Sequence, residues 1–333
     1  MAESNITVVI PTYNNISYLA DTIASILNQT LPPDEVIVVD DGSTCLSVSG
    51  FRSVKDFVMR LGSSRLQCVE QENKGAPAAR NAGAAQAQSE WLAFCDSDDL
   101  WLPTKLQRQI TLLQKAPDCH CCIVDFQNFD VNGTAPRSHF DYAPEAFWNE
   151  GRRDFGAAGF VLDRNLFLDY LTFQPAITST VLIRRGHFEK IGRWNPAVGH
   201  MQAEDFEFHL RCARHPPIAV VPEVLMKYRK HVNSMSANEL MQAYVSIEIL
   251  RYVLENEELA KANAPVFRTE IETRLLECCR SAFFAARPDL FRKWYAELPG
   301  SCRSMGLRAR YLFSLLPGNL PEMLLRAVRA ARD

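Results

Sequence analysis

The stretch that decides the fold runs from Thr7 to Val39. Thr7-Val8-Val9-Ile10 is a short apolar run closed by Pro11, which is typical of a buried strand in a parallel sheet. Val36-Ile37-Val38-Val39 has the same character. The apolar residues between the two runs fall on one helical face: Ile16, Leu19, Ala20, Ile23, Ile26 and Leu27. The sequence therefore predicts a β-α-β unit with parallel strands.

The alternation of strands and helices continues along the chain. Further strands are predicted at Leu66–Glu70, Trp91–Cys95, Cys121–Phe126, Thr180–Ile183 and Ile218–Val221. Helices are predicted from Pro77 to about Gln88, after Pro103, and over Ala203–Arg214. Residues 134–175 lack a sustained period and are interpreted as a long functional loop with short helices, whereas the pattern from Ala237 onward is helical. We expect an α/β fold: a Rossmann-like, mostly parallel sheet flanked by helices, with a C-terminal helical extension.

Composition excludes several classes of protein. The 333 residues carry a net charge of −3, so no basic balance suggests a nucleic-acid partner. Many of the ten cysteines sit in apolar runs, which favours buried free thiols in a reducing compartment over disulfides. The sequence shows no apolar stretch of the ~18 residues that a membrane span needs, and no signal region. We expect a cytoplasmic protein, either soluble or peripheral on the inner face of the membrane.

Nucleotide-binding glycine motifs are missing where two large classes need them. No GxGxxG follows the first strand, and GxxxxGK[ST] does not occur in the chain. The sequence therefore argues against a dinucleotide-dependent oxidoreductase and a P-loop NTPase.

Polar residues follow three of the predicted strands: Pro11-Thr12-Tyr13-Asn14, Asp40-Asp41-Gly42-Ser43 and Asp96-Ser97-Asp98-Asp99. Strands of an open parallel sheet present their carboxyl ends at one edge, where ligands collect. Asp-Gly-Ser is also a common turn, and Asp98 could cap the helix near Pro103. Several carboxylates at one edge nevertheless favour a hard cation, Mn²⁺ or Mg²⁺, that bridges them to a substrate diphosphate.

These motifs resemble those of family 2 glycosyltransferases, which have the GT-A fold. The matching segments are residues 8–14, 38–44, 73–75, 79–83, 94–99, 204–205 and 228–231. The resemblance covers about residues 5–235. It implies a catalytic domain over 1–236, with a nucleotide-sugar half (1–116) and an acceptor half (117–236), followed by a helical extension over 237–333.

The resemblance also implies roles for single residues. Donor binding falls to Pro11, Thr12, Tyr13, Asp40, Asp41, Lys74, Arg80, Asp96 and Ser97. Among them the resemblance implies that Tyr13 packs on the base and that Arg80 faces the base or a phosphate. Asp40 or Asp41 accepts a hydrogen bond from the base, which favours uracil. Asp96 and Asp98 form the metal-binding DxD motif, with His231 beside the metal or diphosphate.

Asp205 resembles the catalytic base of an inverting transfer. From the residues alone, Asp205 could simply favour a helix N-terminus, and His231 could be an ordinary surface or core histidine. Trp194 is equally a pocket residue or a packing residue. The processive members' transmembrane helices and QxxRW motif are not found, which favours one sugar per event.

The expected partners are a nucleotide-sugar donor, with UDP favoured, and a saccharide or lipid-linked saccharide acceptor. Bacterial surface polysaccharide assembly is the expected setting. An apolar stripe from Leu320 to Ala331, flanked by arginines, could rest on a membrane or dock on the catalytic domain. Two other functions remain open: a sugar-nucleotidyltransferase and a non-catalytic nucleotide-sugar-binding protein.

Overall fold

The structure is a computed structural model, and it describes residues 5–44, 51–231 and 239–315. The chain divides into two compact units. The first comprises Met1–His200 and Glu204–Ser234, and the second comprises Met201–Ala203 and Met235–Asp333.

The first unit is built on one sheet. Its described strands are β1 (Ile6–Thr12), β2 (Glu35–Asp40), β3 (Leu66–Glu70), β4 (Trp91–Phe94), β5 (Leu100–Trp101), β6 (Cys121–Asp130), β7 (Gly133–Thr134), β8 (Arg152–Asp154), β9 (Phe160–Leu162), β10 (Leu182–Arg184) and β11 (Ile218–Arg229). Its described α-helices are α1 (Ile16–Leu27), α2 (Val54–Arg60), α3 (Ala76–Gln86), α4 (Lys105–Lys115), α5 (Asp169–Thr172), α6 (Arg185–Lys190) and α7 (Glu204–Ala213).

The sheet has the order β3-β2-β1-β4-β10-β6-β11-β9-β8, with β5 paired to β11 and β7 to β6. Strands β3, β2, β1 and β4 run parallel, and so do β6 and β11. The short strand β10 joins these two parallel groups by running antiparallel to both β4 and β6. The central strands are buried because apolar side chains from α1 and α4 pack on one face of the sheet.

The predicted fold class is confirmed, because a mostly parallel sheet is flanked by helices and the chain ends in a helical region. Helix α2 and the short strands β5, β7, β8 and β9 were missed by the sequence analysis. Strands of two or three residues are too short to show an alternating pattern. The predicted loop over 134–175 holds β7 (in part), β8, β9, α5 and several 3₁₀ turns.

The described part of the second unit is helical: α8 (Glu239–Asn256), α9 (Glu258–Ala262), α10 (Ala264–Phe284), α11 (Pro288–Glu297) and α12 (Met305–Ser314). Its core contains the fully buried rings of Phe267, Phe291 and Trp294. Among the described helices, none combines the length and apolar character required to cross a membrane. The predicted amphipathic segment from Leu320 to Ala331 lies outside the described residues.

Candidate active site

Three polar loops meet at one edge of the sheet. Strand β1 lies between β2 and β4, with Thr12 beside Asp40 and Val9 beside Phe94, so the loops that follow these strands are neighbours. Hydrogen bonds join them: the Asn14 N–H donates to Oγ of Ser43 at 2.9 Å. Nδ2 of Asn15 donates to Oγ of Ser97 at 3.0 Å. The expectation that these motifs share one edge therefore matches the arrangement.

The loop after β1 combines buried and exposed residues. Pro11 and Thr12 are buried, whereas the side chain of Tyr13 is 48% exposed. A large aromatic ring left exposed at this edge has a face available for a planar group.

The two carboxylates after β2 have different partners. Oδ1 of Asp41 accepts the Lys74 N–H at 2.9 Å, and Oδ2 accepts the Gly75 N–H at 2.9 Å. Asp40 accepts the Ser43 N–H at 3.0 Å. Asp41 therefore holds the turn that starts α3, while Asp40 shapes its own loop. The Lys74 side chain is exposed, and its backbone N–H makes the contact with Asp41.

Helix α3 lies against β1 because of one glycine. A Cβ at Gly83 would be 2.4 Å from Cγ1 of Val9, closer than such atoms approach. The missing side chain lets the helix approach the strand closely, and this placement sets the position of Arg80 one turn earlier.

Arg80 connects two acidic segments of the first unit. Its Nη2 donates to Oδ1 of Asp96 at 2.8 Å, and its Nη1 donates to Oε1 of Glu204 at 2.7 Å. Burial alone would lower the pKa of Arg80, but the charges of Asp96 and then Glu204 raise it overall, so the guanidinium stays charged. The side chain is 1% exposed. The predicted contact of Arg80 with a base or phosphate does not match this placement, because two carboxylates hold its buried head group.

The ring of Trp194 packs against the guanidinium of Arg80. The guanidinium carbon lies 4.5 Å from the centroid of the Trp194 ring, and this ring stacks on Phe208 of α7 at 4.0 Å. Trp194 is 1% exposed. Of the two alternatives left open by the sequence, the structure shows a packing residue.

The last carboxylate of the Asp96–Asp99 loop is fully buried and organises the loop. Oδ2 of Asp99 accepts from Oγ of Ser179 at 2.5 Å, and Oδ1 accepts the Arg229 N–H at 3.2 Å. Burial, followed by the charge of Asp98, raises the pKa of Asp99 well above its usual range. Ser179 Oγ also accepts the Asp96 N–H at 3.0 Å. Asp99 and Ser179 thus fix the DxD loop against the end of β11.

Asp98 and His231 are in contact just after the end of β11. Nε2 of His231 lies 2.9 Å from Oδ2 of Asp98, so the imidazole donates to the carboxylate. The His231 ring lies against Tyr18, with centroids 4.7 Å apart. Burial, followed by the charge of Asp96, raises the pKa of Asp98, whereas the hydrogen bond from His231 lowers it. The structure therefore brings together two of the residues predicted to hold a metal.

Asp205 occupies the first turn of α7, next to Glu204. Burial raises the pKa of Asp205 to about 7, the Glu204 charge adds to this rise, and the Arg80 charge opposes it. A carboxyl group with a pKa near neutrality is suited to take and release a proton under physiological conditions.

The donor set at this edge fits a hard divalent cation. Asp98 and His231, which are in contact, offer a carboxylate oxygen and an imidazole nitrogen of the kinds that Mn²⁺ accepts, and Asp96 lies two residues before Asp98. No group of three or more acidic, histidine or cysteine side chains converges on one point within the described residues. One or two carboxylates suffice where a substrate diphosphate completes the coordination.

A hollow of about 800 Å³ lies elsewhere in the first unit. It is lined by residues at the amino ends of the parallel strands, including Pro33, Arg65 and Trp91. The candidate site lies at the carboxyl ends of these strands, so the hollow takes no part in it.

Sequence reasoning missed the connecting residues. Glu204 was grouped with Asp205 without a role, and neither Asp99, Ser179 nor Arg229 was singled out. The available signal was the presence of two adjacent acids, Asp98-Asp99 and Glu204-Asp205, since neighbouring carboxylates take different partners.

Solved structures with a similar fold include two glycosyltransferases. Residues 1–349 of TarS from S. aureus superpose with a TM-score of 0.56 at 17% identity, covering 97% of this chain and 91% of that one. The mannosyltransferase PcManGT from Pyrobaculum calidifontis gives 0.57 at 18% identity, covering 98% and 79%. The architecture is that of the GT-A glycosyltransferases.

The sequence comparisons give the family. The family model "Glycosyl transferase family 2" matches residues 7–192, so the chain belongs to glycosyltransferase family 2. TuaG of Bacillus subtilis (strain 168), named for teichuronic acid biosynthesis, is 33% identical over 144 residues, which cover 42% of this chain and 54% of TuaG. The Escherichia coli glucosyltransferase WfgD is 32% identical over 111 residues, 33% of this chain and 41% of WfgD. The matched stretches thus span about half or less of these relatives.

Proposed function

We propose that the chain transfers a sugar, with inversion at the anomeric carbon, from a nucleotide-diphosphate donor to a hydroxyl group of a saccharide acceptor. The observation that carries this proposal is the double ion pair of Arg80 with Asp96 and Glu204. It joins the metal-binding motif to the helix that presents Asp205. One rigid, charged network therefore supports both the leaving-group side and the nucleophile side of a displacement reaction.

The donor nucleotide would lie at the edge formed by the first two loops. Tyr13 offers an exposed ring for stacking, next to the buried Pro11 and Thr12. Asp40 and Asp41 follow the neighbouring strand β2, where Asp40 pairs with Thr12, and a carboxylate that accepts the N–H of a uracil ring would favour UDP. Lys74, exposed at the start of α3, and Ser97, hydrogen-bonded to Asn15, are the further donor-binding residues of this proposal.

Asp98, Asp96 and His231 are the residues that would hold Mn²⁺ or Mg²⁺. When bound, the ion would neutralise the charge that develops on the departing diphosphate. Since Nε2 of His231 contacts Oδ2 of Asp98 in the structure, ligation of one ion by both residues would replace this hydrogen bond. Arg80 acts here as a positioning residue, because it fixes Asp96 and is itself buried.

Asp205 is the proposed base. An acceptor hydroxyl has a pKa far above neutrality, so its proton leaves as the new bond forms, and Asp205 would accept it. The raised pKa of Asp205 increases its basicity relative to an exposed aspartate. A single base on the face opposite the leaving diphosphate gives direct displacement and hence inversion.

The names of similar proteins support the choice of substrates. WfgD is named as a transferase that uses UDP-Glc and an acceptor linked to diphosphoundecaprenol, and TarS has been solved with UDP-GlcNAc. PcManGT was solved with GDP-Man and Mn²⁺. We therefore favour a UDP-sugar donor, a lipid-linked saccharide acceptor and a place in cell-surface polysaccharide synthesis. Peripheral membrane contact through residues 320–331 would bring the enzyme to such an acceptor.

A donor panel tests this function. The melting temperature of the chain is measured with UDP-, GDP- and TDP-sugars, each with and without Mn²⁺. We expect UDP-sugars to raise it most, and only with Mn²⁺, because ligand binding to the folded state stabilises it. Asp98→Asn should remove the Mn²⁺-dependent part, whereas Asp130→Asn, an exposed carboxylate at the end of β6, should not. No stabilisation by any nucleotide-sugar in the panel would contradict the proposal.

A further inference from the structure

A second hollow, of about 400 Å³, lies in the acceptor half of the first unit. It opens between the middle of β11 and the segment that contains two 3₁₀ turns and β8. The residues that matter here are Asp125, Phe140, Trp148, Arg152, Phe160 and Val224. A hollow of this size is large enough for a small ligand ring.

The aromatic part of the lining is a cluster of three rings. The Trp148 ring lies 4.6 Å from that of Phe140 and 5.7 Å from that of Phe160, measured between centroids. Trp148 is half-buried, so part of its surface contacts the hollow rather than the core. Aromatic faces provide flat apolar surface that suits the CH groups of a pyranose.

The polar part of the lining includes a buried carboxylate. Asp125 is 4% exposed, and its Oδ1 accepts the Phe126 and Phe140 N–H groups at 2.7 and 3.0 Å. Burial raises the pKa of Asp125, whereas Ser138 lowers it. A carboxylate that is removed from water at a ligand-sized hollow is well placed to accept hydroxyl hydrogen bonds.

Charge at the hollow disfavours an anionic ligand. Asp125 and Asp141 both line it, and the guanidinium of Arg152 is paired with Oδ1 of Asp154 at 2.7 Å. Phosphate or nucleotide groups would meet this negative balance unfavourably, whereas a neutral polyhydroxyl ligand would not.

Strand β11 is irregular where it borders the hollow, at Pro222 and Val224. The pairing of β11 with β6 shifts register between Val221 and Val224 and again before Met226. From Val224 the strand runs five residues to Arg229, whose N–H meets Asp99 of the DxD loop. At ~3.3 Å per residue this is about 16 Å, a distance beyond the reach of one sugar ring.

We infer that this hollow is a saccharide-binding subsite that holds a neutral sugar ring of the acceptor, remote from the hydroxyl that reacts. Trp148 provides the stacking face and Asp125 the hydrogen-bond acceptor. The inference rests on the proposed function and extends it, because a remote subsite would let the enzyme prefer an acceptor of several sugars over a single sugar.

Saturation-transfer NMR tests the subsite with the full chain and three neutral trisaccharides: cellotriose, maltotriose and triacetylchitotriose. UDP with Mn²⁺ is titrated in parallel as a probe of the candidate active site. At least one trisaccharide should bind the wild-type chain, and Trp148→Ala should weaken that binding by about tenfold. Asp125→Asn, which keeps the shape and the backbone hydrogen bonds, should weaken it in the same direction.

Tyr142→Ala is the matched control, because Tyr142 is 60% exposed beside Phe140 but does not line the hollow. Its trisaccharide binding should equal that of the wild type, and UDP binding should be the same in all variants. If no trisaccharide binds, or if binding survives both Trp148→Ala and Asp125→Asn, the subsite is disproved. Failure of UDP to bind the wild-type chain would instead count against the proposed function.

Discussion

Nη1 of Arg80 and Oε1 of Glu204 lie 2.7 Å apart, in an ion pair whose side chains are only 2% and 6% exposed. The two residues are 124 positions apart in the sequence, and the same guanidinium also binds Asp96. A buried charge is tolerated only when it is paired, so each member of this network requires the others. The Asp96–Asp99 loop and the proposed base are thereby held in one geometry.

We expect Arg80→Met to lower the free energy of unfolding by about 3–5 kcal/mol, because it leaves a buried carboxylate without its partner. Urea denaturation measures this change. The double variant Arg80→Met/Glu204→Gln should recover part of the loss, because no unpaired charge then remains at position 204. Arg184→Met is the control: its pair with Glu90 is exposed, and its loss should change stability by about 0–1 kcal/mol. If Arg80→Met and Arg184→Met lower the free energy of unfolding by the same amount, the Arg80 network has no special role in stability.

The pH dependence of transfer should report the ionisation of Asp205. A base acts in its deprotonated form, so kcat/KM should rise as the pH increases through about 7 and then level off. Because the Glu204 charge contributes to the raised pKa, Glu204→Gln should move the midpoint to lower pH. A rate profile measured at saturating metal checks both points. A midpoint near 4 in the wild-type enzyme would contradict the assignment of Asp205 as a base with a raised pKa.

Gly83 should be intolerant of a side chain. Gly83→Ala would place a Cβ 2.4 Å from Cγ1 of Val9, so α3 must move and Arg80 with it. We expect a loss of about 1–3 kcal/mol in stability and a larger proportional loss of transfer. Gly186→Ala, in α6 with nothing within 4 Å of the added Cβ, is the matched control and should be neutral or slightly stabilising. Wild-type activity in Gly83→Ala would show that the position of α3 is unimportant.

The central sheet could be predicted because its strands are continuous apolar runs and its helices have clear spacing. The run at Thr7–Ile10 lies within β1, and the helical face from Ile16 to Leu27 coincides with α1. Position at the carboxyl ends of strands then predicts that Asp40 and Asp96 are near each other, because parallel strands align these ends.

The contacts of the site could not be predicted in the same way. The partners of Arg80 and of Asp99 are set by tertiary packing between distant segments, and no local pattern encodes them. No sequence pattern indicates the bulge at Val224 or the three-ring cluster around Trp148, since both depend on irregular backbone. Their discovery required the structure.

The most direct test of the account is to measure sugar transfer and UDP binding in the same preparation of Asp205→Asn with Mn²⁺. We expect the variant to bind UDP with wild-type affinity while transfer falls below detection, because only the proton acceptor is removed. Transfer at the wild-type rate would contradict the claim that Asp205 is the base of this site.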